Sequence, residues 1–341
     1  MSLLNATCHP ALGVPYIDPR GQRVVIAIVK ATFEQDRLGR MVPAAEPSPV
    51  RVADVLWNDE LPNSSVKYPS DVCCEKRGVD VVLVGVALSP RPVTRMDIAA
   101  RIGALEAPLV VHGERLFYKG ARGVAISEAT RFEAMPVVYE RAYGGMTADG
   151  SLVEERNPAG VGVAHRDKDL IDTPAPQIEH PAFPHTGPGE DHPPMGYGAT
   201  RPHWMPRRSY AGTFDDAWRE TRMPILPLDF DPRFENVAHP SLQLGGDGER
   251  QSPNHVEEAP IPGTEITVLG MSEGGLFRCE LPDLKLVLHG IRNHDRTSHR
   301  PYVDTILIEP ARRRVELVYR VVFTMGRGRT SLREVRVDTD D

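Results

Sequence analysis

Proline is concentrated in the middle of this chain, and that concentration limits what the middle can fold into. Seventeen of the 32 prolines fall between Pro158 and Pro262. Proline lacks a backbone N–H and forces the preceding residue into an extended conformation, so neither a regular sheet nor a long helix suits this stretch. It also contains many aromatic residues, whereas disordered chains are typically poor in them. We therefore predict an ordered but irregular segment over residues 151–262.

The flanking parts of the chain are patterned as β-strands. Short runs rich in β-branched residues are separated by turn residues, without helical segments between them. The predicted strands cover residues 24–33, 79–88, 95–102, 105–112, 125–132, 137–143, 265–269, 276–281, 285–288, 303–309 and 315–323. The run 79–88 is apolar almost throughout, which predicts a central strand covered on both faces. The sequence thus predicts a mainly β protein of antiparallel, sandwich-like sheets with few short helices.

The length of the chain allows one large domain with ample core. We expect a single domain over residues 1–341. Its N-terminal β part covers residues 20–150, and its C-terminal β part, residues 263–325, completes the sheets. The last two predicted strands form a hairpin across residues 310–314.

Composition and charge exclude several classes of protein. The net charge of −7 argues against a nucleic-acid-binding protein, which normally carries an excess of Lys and Arg on one face. A basic stretch near the end is interpreted as solvated strand faces, with an anionic partner as the alternative. Its members are Arg312, Arg313, Arg314, Arg320, Arg327 and Arg329.

The sequence also bears on the compartment. The first eleven residues lack the basic and apolar regions of a signal peptide, and the longest apolar runs are too short to cross a bilayer. The four cysteines show no C-x-x-C spacing, and the adjacent Cys73 and Cys74 are poorly placed to bridge each other. We predict a reduced, cytoplasmic protein that contacts neither membrane nor nucleic acid.

One short helix is predicted inside the irregular segment. Thr213 is its expected N-cap, and Asp215 and Asp216 fall in the first turn, where the helix dipole favours anions. Phe214 and Trp218 are four residues apart and share a face. Because so short a helix is marginal alone, we expect these two rings to anchor it to the sheet.

Asp229 and Asp231 are the best candidates for carboxylate chemistry. In an extended conformation both carboxylates of Asp229-Phe-Asp231 point the same way, so the pair could hold a divalent cation or serve as acid and base. Because Arg219, Arg222 and Arg233 lie close in sequence, we favour arginine–carboxylate bracing of an irregular loop. A metal-dependent or carboxylate-based hydrolase or transferase remains the alternative.

Other signs of chemistry are weak. The histidine sets, His180, His185 and His192 and then His289, His294 and His299, lack the tight spacing and cysteine partners of structural zinc sites. The sequence contains no G-x-S-x-G, H-E-x-x-H or Walker motif. Lys76 and Arg77 follow Cys73-Cys74 and could lower a thiol pKa, but no base is assigned to that cysteine. We expect no metal, no cofactor and no catalytic residue.

An ordered series of motifs resembles a known family. Lys30-Ala-Thr-Phe33, Lys76-Arg-Gly-Val-Asp80 and His112-Gly-Glu-Arg115 come first, followed by Met135-Pro-Val-Val-Tyr-Glu-Arg-Ala-Tyr-Gly-Gly145 and Asn157-Pro-Ala-Gly160. Then come Gly212-Thr-Phe-Asp-Asp-Ala-Trp218, Arg222-Met-Pro224, Leu226-Pro-Leu-Asp-Phe-Asp231 and Leu281-Pro282. From about residue 30 to 320 the chain is similar to the domain-of-unknown-function 2169 family, found with type VI secretion effector modules. Residues 180–195 and 244–260 depart from the family pattern.

The resemblance implies a role but no active site. Family members are regarded as accessory adaptors or chaperones that help to load a toxic effector onto the spike, so the implied partners are a secreted effector and the spike protein. A structural component of the contractile particle is a further alternative. We place the expected protein contacts within residues 204–236, because Trp and Arg are the types most enriched at binding hot spots. The candidate contact residues are Trp204, Arg208, Trp218, Arg222, Asp229 and Asp231. The competing interpretation is that they form the irregular segment's own small core and salt links.

Overall fold

The protein is built almost entirely of β-strands. A computed structural model of the chain describes residues 1–60, 63–188, 192–245, 262–293 and 295–340. His294 and most of the stretch 244–260 therefore lie outside the described residues. The strands are β1 Ser2–Asn5, β2 Ala11–Ile17, β3 Arg23–Gln35, β4 Met41–Pro43, β5 Val55–Leu56, β6 Val66–Tyr68, β7 Val79–Leu83, β8 Val86–Val93, β9 Arg95–Ile102, β10 Leu105–His112, β11 Phe117–Gly120, β12 Gly123–Ile126, β13 Phe132–Pro136, β14 Tyr143–Gly144, β15 Val161–Gly162, β16 Ile178–Glu179, β17 Gln243–Leu244, β18 Glu265–Leu269, β19 Leu276–Glu280, β20 Leu286–Ile291, β21 Arg296–His299, β22 Val303–Glu309, β23 Arg314–Thr324 and β24 Glu334–Thr339.

The largest sheet has seven strands in the order β17-β7-β22-β23-β3-β2, with β4 paired to the end of β3. β3 and β23 pair antiparallel from Val24↔Thr324 to Glu34↔Arg314, so the first long strand bonds to one of the last. Alternate residues of β3 enter different cores: Val25, Ala27 and Val29 face the main one, and Ile26 and Ile28 a smaller one. Both faces of this sheet are therefore covered, as its long apolar strands require.

Two further sheets share the main core with the seven-stranded sheet. One has the order β16-β10-β9-β18-β19 and the other β1-β24-β20-β21. Ile98 and Ile266 from the first, and Leu288 and Val335 from the second, belong to the same buried cluster as Val25. The predicted mainly β class of antiparallel, sandwich-like sheets is confirmed, with parallel pairs at β1–β24, β7–β22 and β14–β15.

Strand predictions were best where alternation and turn residues agree. The strands 95–102 and 105–112 are confirmed to the residue as β9 and β10, joined at Gly103-Ala104. The hairpin of β22 and β23 is also confirmed. β1, β2, β21 and β24 were missed; the first three lie at sheet edges, and β1 and β21 have only four residues each.

Three strand predictions need correction. The run 79–88 is two strands, because the chain leaves the seven-stranded sheet at Val84-Gly85 and pairs as β8 with β13. The run 125–132 is interrupted between β12 and β13, where Ser127 and Thr130 bond to the backbone of residues 116 and 114. Residues 139–141 form a 3-10 turn instead of a strand.

The central segment is irregular, as predicted. Its described residues contain only the two-residue strands β15, β16 and β17, one α-helix, α1 (Asp216–Thr221), and short 3-10 turns. The 3-10 turns among the described residues are Tyr139–Arg141, Asp167–Leu170, Arg207–Tyr210, Pro232–Glu235, Pro240–Leu242, Pro310–Arg312 and Gly328–Thr330. Every helix in the described part of the chain is too short or too polar to span a membrane.

Candidate functional site

Trp204 is the buried side chain that packs the central segment against Tyr139. Its side chain is 0% exposed, and its ring meets Tyr139 edge-on with 5.5 Å between ring centroids. Asn157, also buried, donates from Nδ2 to the carbonyl oxygens of Tyr139 and Tyr143 at 2.9 Å. Gly160 lies so close that a Cβ there would be 2.5 Å from that nitrogen. Trp204 is therefore a buried support, which corrects our expectation that it contacts a partner.

Arg208 lies on the surface beside this support. Its Nη2 is 2.7 Å from Glu155 Oε1, and both side chains are about half exposed. An exposed pair of this kind contributes little to stability, on the order of 1 kcal/mol or less. Neighbouring Arg207 is buried instead, and its Nε donates to the Phe234 carbonyl at 3.0 Å. The sequence does not distinguish the two arginines.

Residues 212–230 form a compact protrusion, which we call the knob. Asp215, not Thr213, is the N-cap of α1, because its Oδ1 accepts from the Trp218 backbone N–H at 2.7 Å. Thr213 is occupied elsewhere: its backbone N–H and its hydroxyl donate to the two oxygens of Asp229 at 3.0 and 2.7 Å. The knob is thus closed by a polar clasp between its first and last turns.

Three large apolar side chains of the knob are exposed. Phe214 is 51% exposed, Met223 62% and Leu228 86%, and α1 has no buried residue. Phe214 and Trp218 stack edge-on with 4.8 Å between ring centroids, and Trp218 Nε1 donates to the Ile225 carbonyl at 2.8 Å. The expectation that both rings anchor α1 to a sheet was wrong, because internal hydrogen bonds hold the helix instead.

Arg222 joins the knob to the β2–β3 turn. Its Nη2 donates to the Pro19 carbonyl at 2.6 Å, and its Nε donates to the Leu226 carbonyl. Ile225 packs against the same turn, since a Cβ on Gly21 would lie 2.8 Å from Ile225 Cδ1. Arg222 therefore fixes the position of the knob, and its guanidinium is already engaged by carbonyl groups.

Asp229 and Asp231 serve separate local contacts. Asp231 caps the 3-10 turn Pro232–Glu235 and lies 2.6 Å from Arg233 Nη2, whose guanidinium stacks over Tyr210. Burial raises the pKa of Asp231, but hydrogen bonds from Arg233 outweigh it and lower the pKa. Hydrogen bonds from Thr213 lower the pKa of Asp229. The predicted arginine bracing holds for Asp231, while Asp229 is held by a threonine.

The histidines lie apart from these acids. His185 and His192 are buried beside Tyr143, with 3.9 Å between their ring centroids, and His289 Nδ1 lies 2.8 Å from Ser298 Oγ. Among the described residues, no three His, Cys, Asp or Glu side chains converge in a geometry that could hold a metal ion.

A layer of buried charges lies between the strands β3 and β23 and the segment 48–71. Lys30 Nζ is 2.8 Å from Asp71 Oδ2 and 3.2 Å from Glu316 Oε2, and all three side chains are buried. Arg51 Nη1 lies 2.6 Å from the same Glu316 oxygen. Burial raises the pKa of Glu316, but hydrogen bonding and charge from Arg51 and Lys30 lower it to about 2. Charges this deep must be paired, because an unpaired one costs several kcal/mol.

Asp80 extends this layer and secures the far end of the central segment. Its carboxylate lies 2.7 Å from Lys76 Nζ and also accepts from the backbone N–H groups of Val237 and Ala238 at 2.9 and 3.2 Å. Lys76 is therefore engaged by Asp80 and does not activate a cysteine. Burial raises the pKa of Cys74 to about 12, which argues against a reactive thiol at Cys74, and the Cys73 side chain is buried.

Sequence reasoning missed this buried layer as a unit, although a signal was present. Lys30, Asp80 and Glu316 are charged residues inside otherwise apolar strands. A charge at such a position needs a buried partner, so these residues predict one another. Two members of the basic stretch near the end follow the same rule, since the largely buried Arg314 and Arg320 ion-pair with carboxylates of neighbouring strands. Arg312 also pairs with Glu309, but its side chain is exposed, as the interpretation of solvated strand faces predicts.

One Ser–His contact resembles catalytic machinery but is arranged for a different purpose. Ser151 Oγ lies 2.7 Å from His165 Nε2 and also 2.7 Å from Asp149 Oδ1. A carboxylate can only accept, so the serine proton goes to Asp149 and His165 must donate to the serine oxygen. This direction is the reverse of what a histidine base needs to activate a serine. The contact closes an exposed turn.

The comparison with protein families assigns the chain. A family model described as "Uncharacterized protein conserved in bacteria (DUF2169)" matches residues 20–320, and the chain belongs to this family. No curated protein and no solved structure matches the chain. The family description states no activity.

Proposed function

We propose that the protein is a cytoplasmic adaptor or chaperone that binds a type VI secretion effector and helps to load it onto the spike protein. The exposed knob is the observation that carries this proposal. Three large apolar side chains stand in water on a loop that the Thr213–Asp229 clasp and Arg222 hold in one conformation. Exposed apolar groups on an ordered support are typical of protein-binding surfaces.

The proposal assigns no bond chemistry to the protein. Asp229 and Asp231 are bound by Thr213 and Arg233 respectively, and Ser151 is oriented away from nucleophilic use. These contacts explain the carboxylates as parts of the support. The resemblance of the ordered motifs to proteins found beside effector modules supports the choice of partner.

Co-expression with the proteins encoded by neighbouring genes tests this role. We expect a tagged copy of this protein to retain the effector encoded by a neighbouring gene. If the protein also has a binding site for the spike, the tagged copy retains the spike protein as well. The complex should be found in the cytosol and should not sediment with assembled secretion particles, which a structural component would do. Failure to bind either folded partner would remove the proposal.

The enzymatic alternative has its own test. A metal-dependent hydrolase predicts stoichiometric metal in the purified protein and loss of that metal in Asp229→Asn. The adaptor predicts that Asp229→Asn loosens the knob, because its amide nitrogen cannot accept from Thr213. Elemental analysis of the wild type and of Asp229→Asn distinguishes the metal-dependent hydrolase from the adaptor, and it needs no assay of a substrate.

A further inference from the structure

Hydrogen bonds within the knob link the residues that carry its apolar side chains. Phe214 follows Thr213 and Leu228 precedes Asp229, and those two polar residues are joined by two hydrogen bonds. Met223 donates its backbone N–H to the Trp218 carbonyl at 3.1 Å, and Trp218 stacks on Phe214. These contacts thus hold Phe214, Trp218, Met223 and Leu228 within one short, hydrogen-bonded segment, in which Phe214, Met223 and Leu228 are exposed.

The knob also carries negative charge. Residues 212–230 contain four carboxylates, Asp215, Asp216, Glu220 and Asp229, and two guanidinium groups, a formal net charge of −2. Arg219 pairs with Asp216, and Arg222 binds carbonyl groups inside the protein. Asp215 and Asp229 accept hydrogen bonds from backbone N–H and hydroxyl groups of the knob. Because these donors are neutral, both carboxylates keep their negative charge.

We infer that the knob binds an apolar segment of the effector that is flanked by Lys or Arg residues; this inference rests on the proposed function. The segment's apolar side chains contact Phe214, Met223 and Leu228, and its basic residues lie against Glu220 and the other carboxylates. Opposite charges at the rim of an apolar contact set orientation and accelerate association.

The same charge argues against other occupants. A second copy of this chain would bring two acidic knobs together, and like charges across an interface oppose association. Nucleic acids and anionic lipid surfaces are also repelled by a surface of this sign. A basic and apolar peptide segment is the occupant that both the apolar groups and the charge favour.

The experiment uses the effector that the full-length protein retains in the co-expression test. We expect Phe214→Ser/Leu228→Ser to weaken its binding at least ~30-fold, because buried hot-spot side chains each contribute about tenfold or more. Leu228→Ser alone should weaken binding in the same direction, and it leaves the Phe214–Trp218 stack in place. The matched control is Leu276→Ser on β19, where the side chain is 48% exposed. β19 is the edge strand of the five-stranded sheet, whereas the knob is attached to the β2–β3 turn of the seven-stranded sheet.

Charge is tested separately. Glu220→Lys should slow association several-fold and reduce its dependence on salt, whereas Glu273→Lys, on an exposed turn, should change neither. Overlapping peptides covering the effector should locate binding to a segment with apolar residues and Lys or Arg flanks.

The outcomes separate this inference from the proposed function. If the wild-type protein retains no effector, the proposed function fails. If it retains the effector and the double serine variant retains it equally well, the adaptor role stands and the knob inference is overturned. Concentration-dependent dimers that disappear in the serine variant would assign the knob to a second copy instead.

Discussion

Glu316 connects three basic or hydroxyl groups that come from separate parts of the chain. Lys30 lies on β3, while Ser48 and Arg51 lie on the segment that covers the sheet, and all three reach its carboxylate. Removing one partner of such a buried group leaves the others unpaired and costs about 3–5 kcal/mol. Glu316→Gln keeps the shape of the side chain and removes the charge.

This predicts a specific pH dependence. The pKa of Glu316 is about 2 in the folded protein, below its value of about 4.3 in an unfolded chain. Its stabilisation is therefore fully present above pH ~4.5, is lost as the pH falls towards 2, and amounts to about 3 kcal/mol at neutral pH. Urea unfolding should show the difference between wild type and Glu316→Gln shrinking over that window. A difference that stays constant with pH would contradict the assignment, and Glu273→Gln, an exposed glutamate, should behave as wild type.

At the scale of single elements, the edge strand β2 shows how the largest sheet ends. The Pro10 carbonyl accepts from Lys30 N–H, and Asp18 N–H donates to the Gln22 carbonyl. In the antiparallel register between them, the backbone groups of Ala11, Gly13, Pro15 and Ile17 point away from β3. Pro15 removes one N–H from that free edge, which is where proline is tolerated in a sheet.

We predict that Pro15 limits edge-to-edge association. Pro15→Val restores an outward N–H at an exposed position of this edge strand and should increase self-association at high protein concentration. Pro15→Lys restores the same N–H but adds a charge, so it should remain as dispersed as the wild type. Sedimentation velocity over a concentration series measures both. Equal behaviour of the valine and lysine variants would show that the proline has another purpose.

The elements also show why some predictions succeeded. β9 and β10 alternate polar and apolar residues around a glycine turn, and local pattern alone defined them. The turn at 139–141 is preceded by apolar residues, as a strand would be. Its carbonyl at Tyr139 and the carbonyl of Tyr143 both accept hydrogen bonds from the side chain of Asn157. That choice depends on a residue elsewhere in the chain, so a local pattern could not predict it. The same holds for Trp204, because its buried ring packs against Tyr139, which is distant in sequence.

At the scale of the whole molecule, one core serves three sheets. Leu288 in the four-stranded sheet and Ile266 in the five-stranded sheet are both fully buried in the cluster that lines the seven-stranded sheet. Single large-to-small substitutions in such a core typically cost about 2–5 kcal/mol. Leu288→Ala and Ile266→Ala should therefore each lower the temperature of one common unfolding transition.

Differential scanning calorimetry distinguishes the possibilities. A single transition shifted by both substitutions is expected, while Leu276→Ser, with its exposed side chain, should leave it in place. Two transitions, each sensitive to only one substitution, would mean that the sheets unfold independently.

The candidate surface was less predictable than the fold. The sequence predicted partner contacts within residues 204–236 and named Trp218, Arg222 and Asp229, which belong to the knob. It did not indicate Met223 or Leu228, because exposure has no local signature in a segment without a strand or helix period. Which of these side chains bind a partner stays a prediction until the effector is tested.

The pairing of β3 with β23 has a consequence for biosynthesis. Residues 24–34 pair with partners that lie 280 to 300 residues later in the chain, from Glu34↔Arg314 to Val24↔Thr324. A ribosome must therefore translate nearly the whole message before that edge of β3 is paired. At typical elongation rates of about 5–20 residues per second, the nascent strand waits roughly 15 to 60 seconds with that edge open. During that interval the unpaired backbone groups along that edge of β3 are open to pairing with strands of other chains.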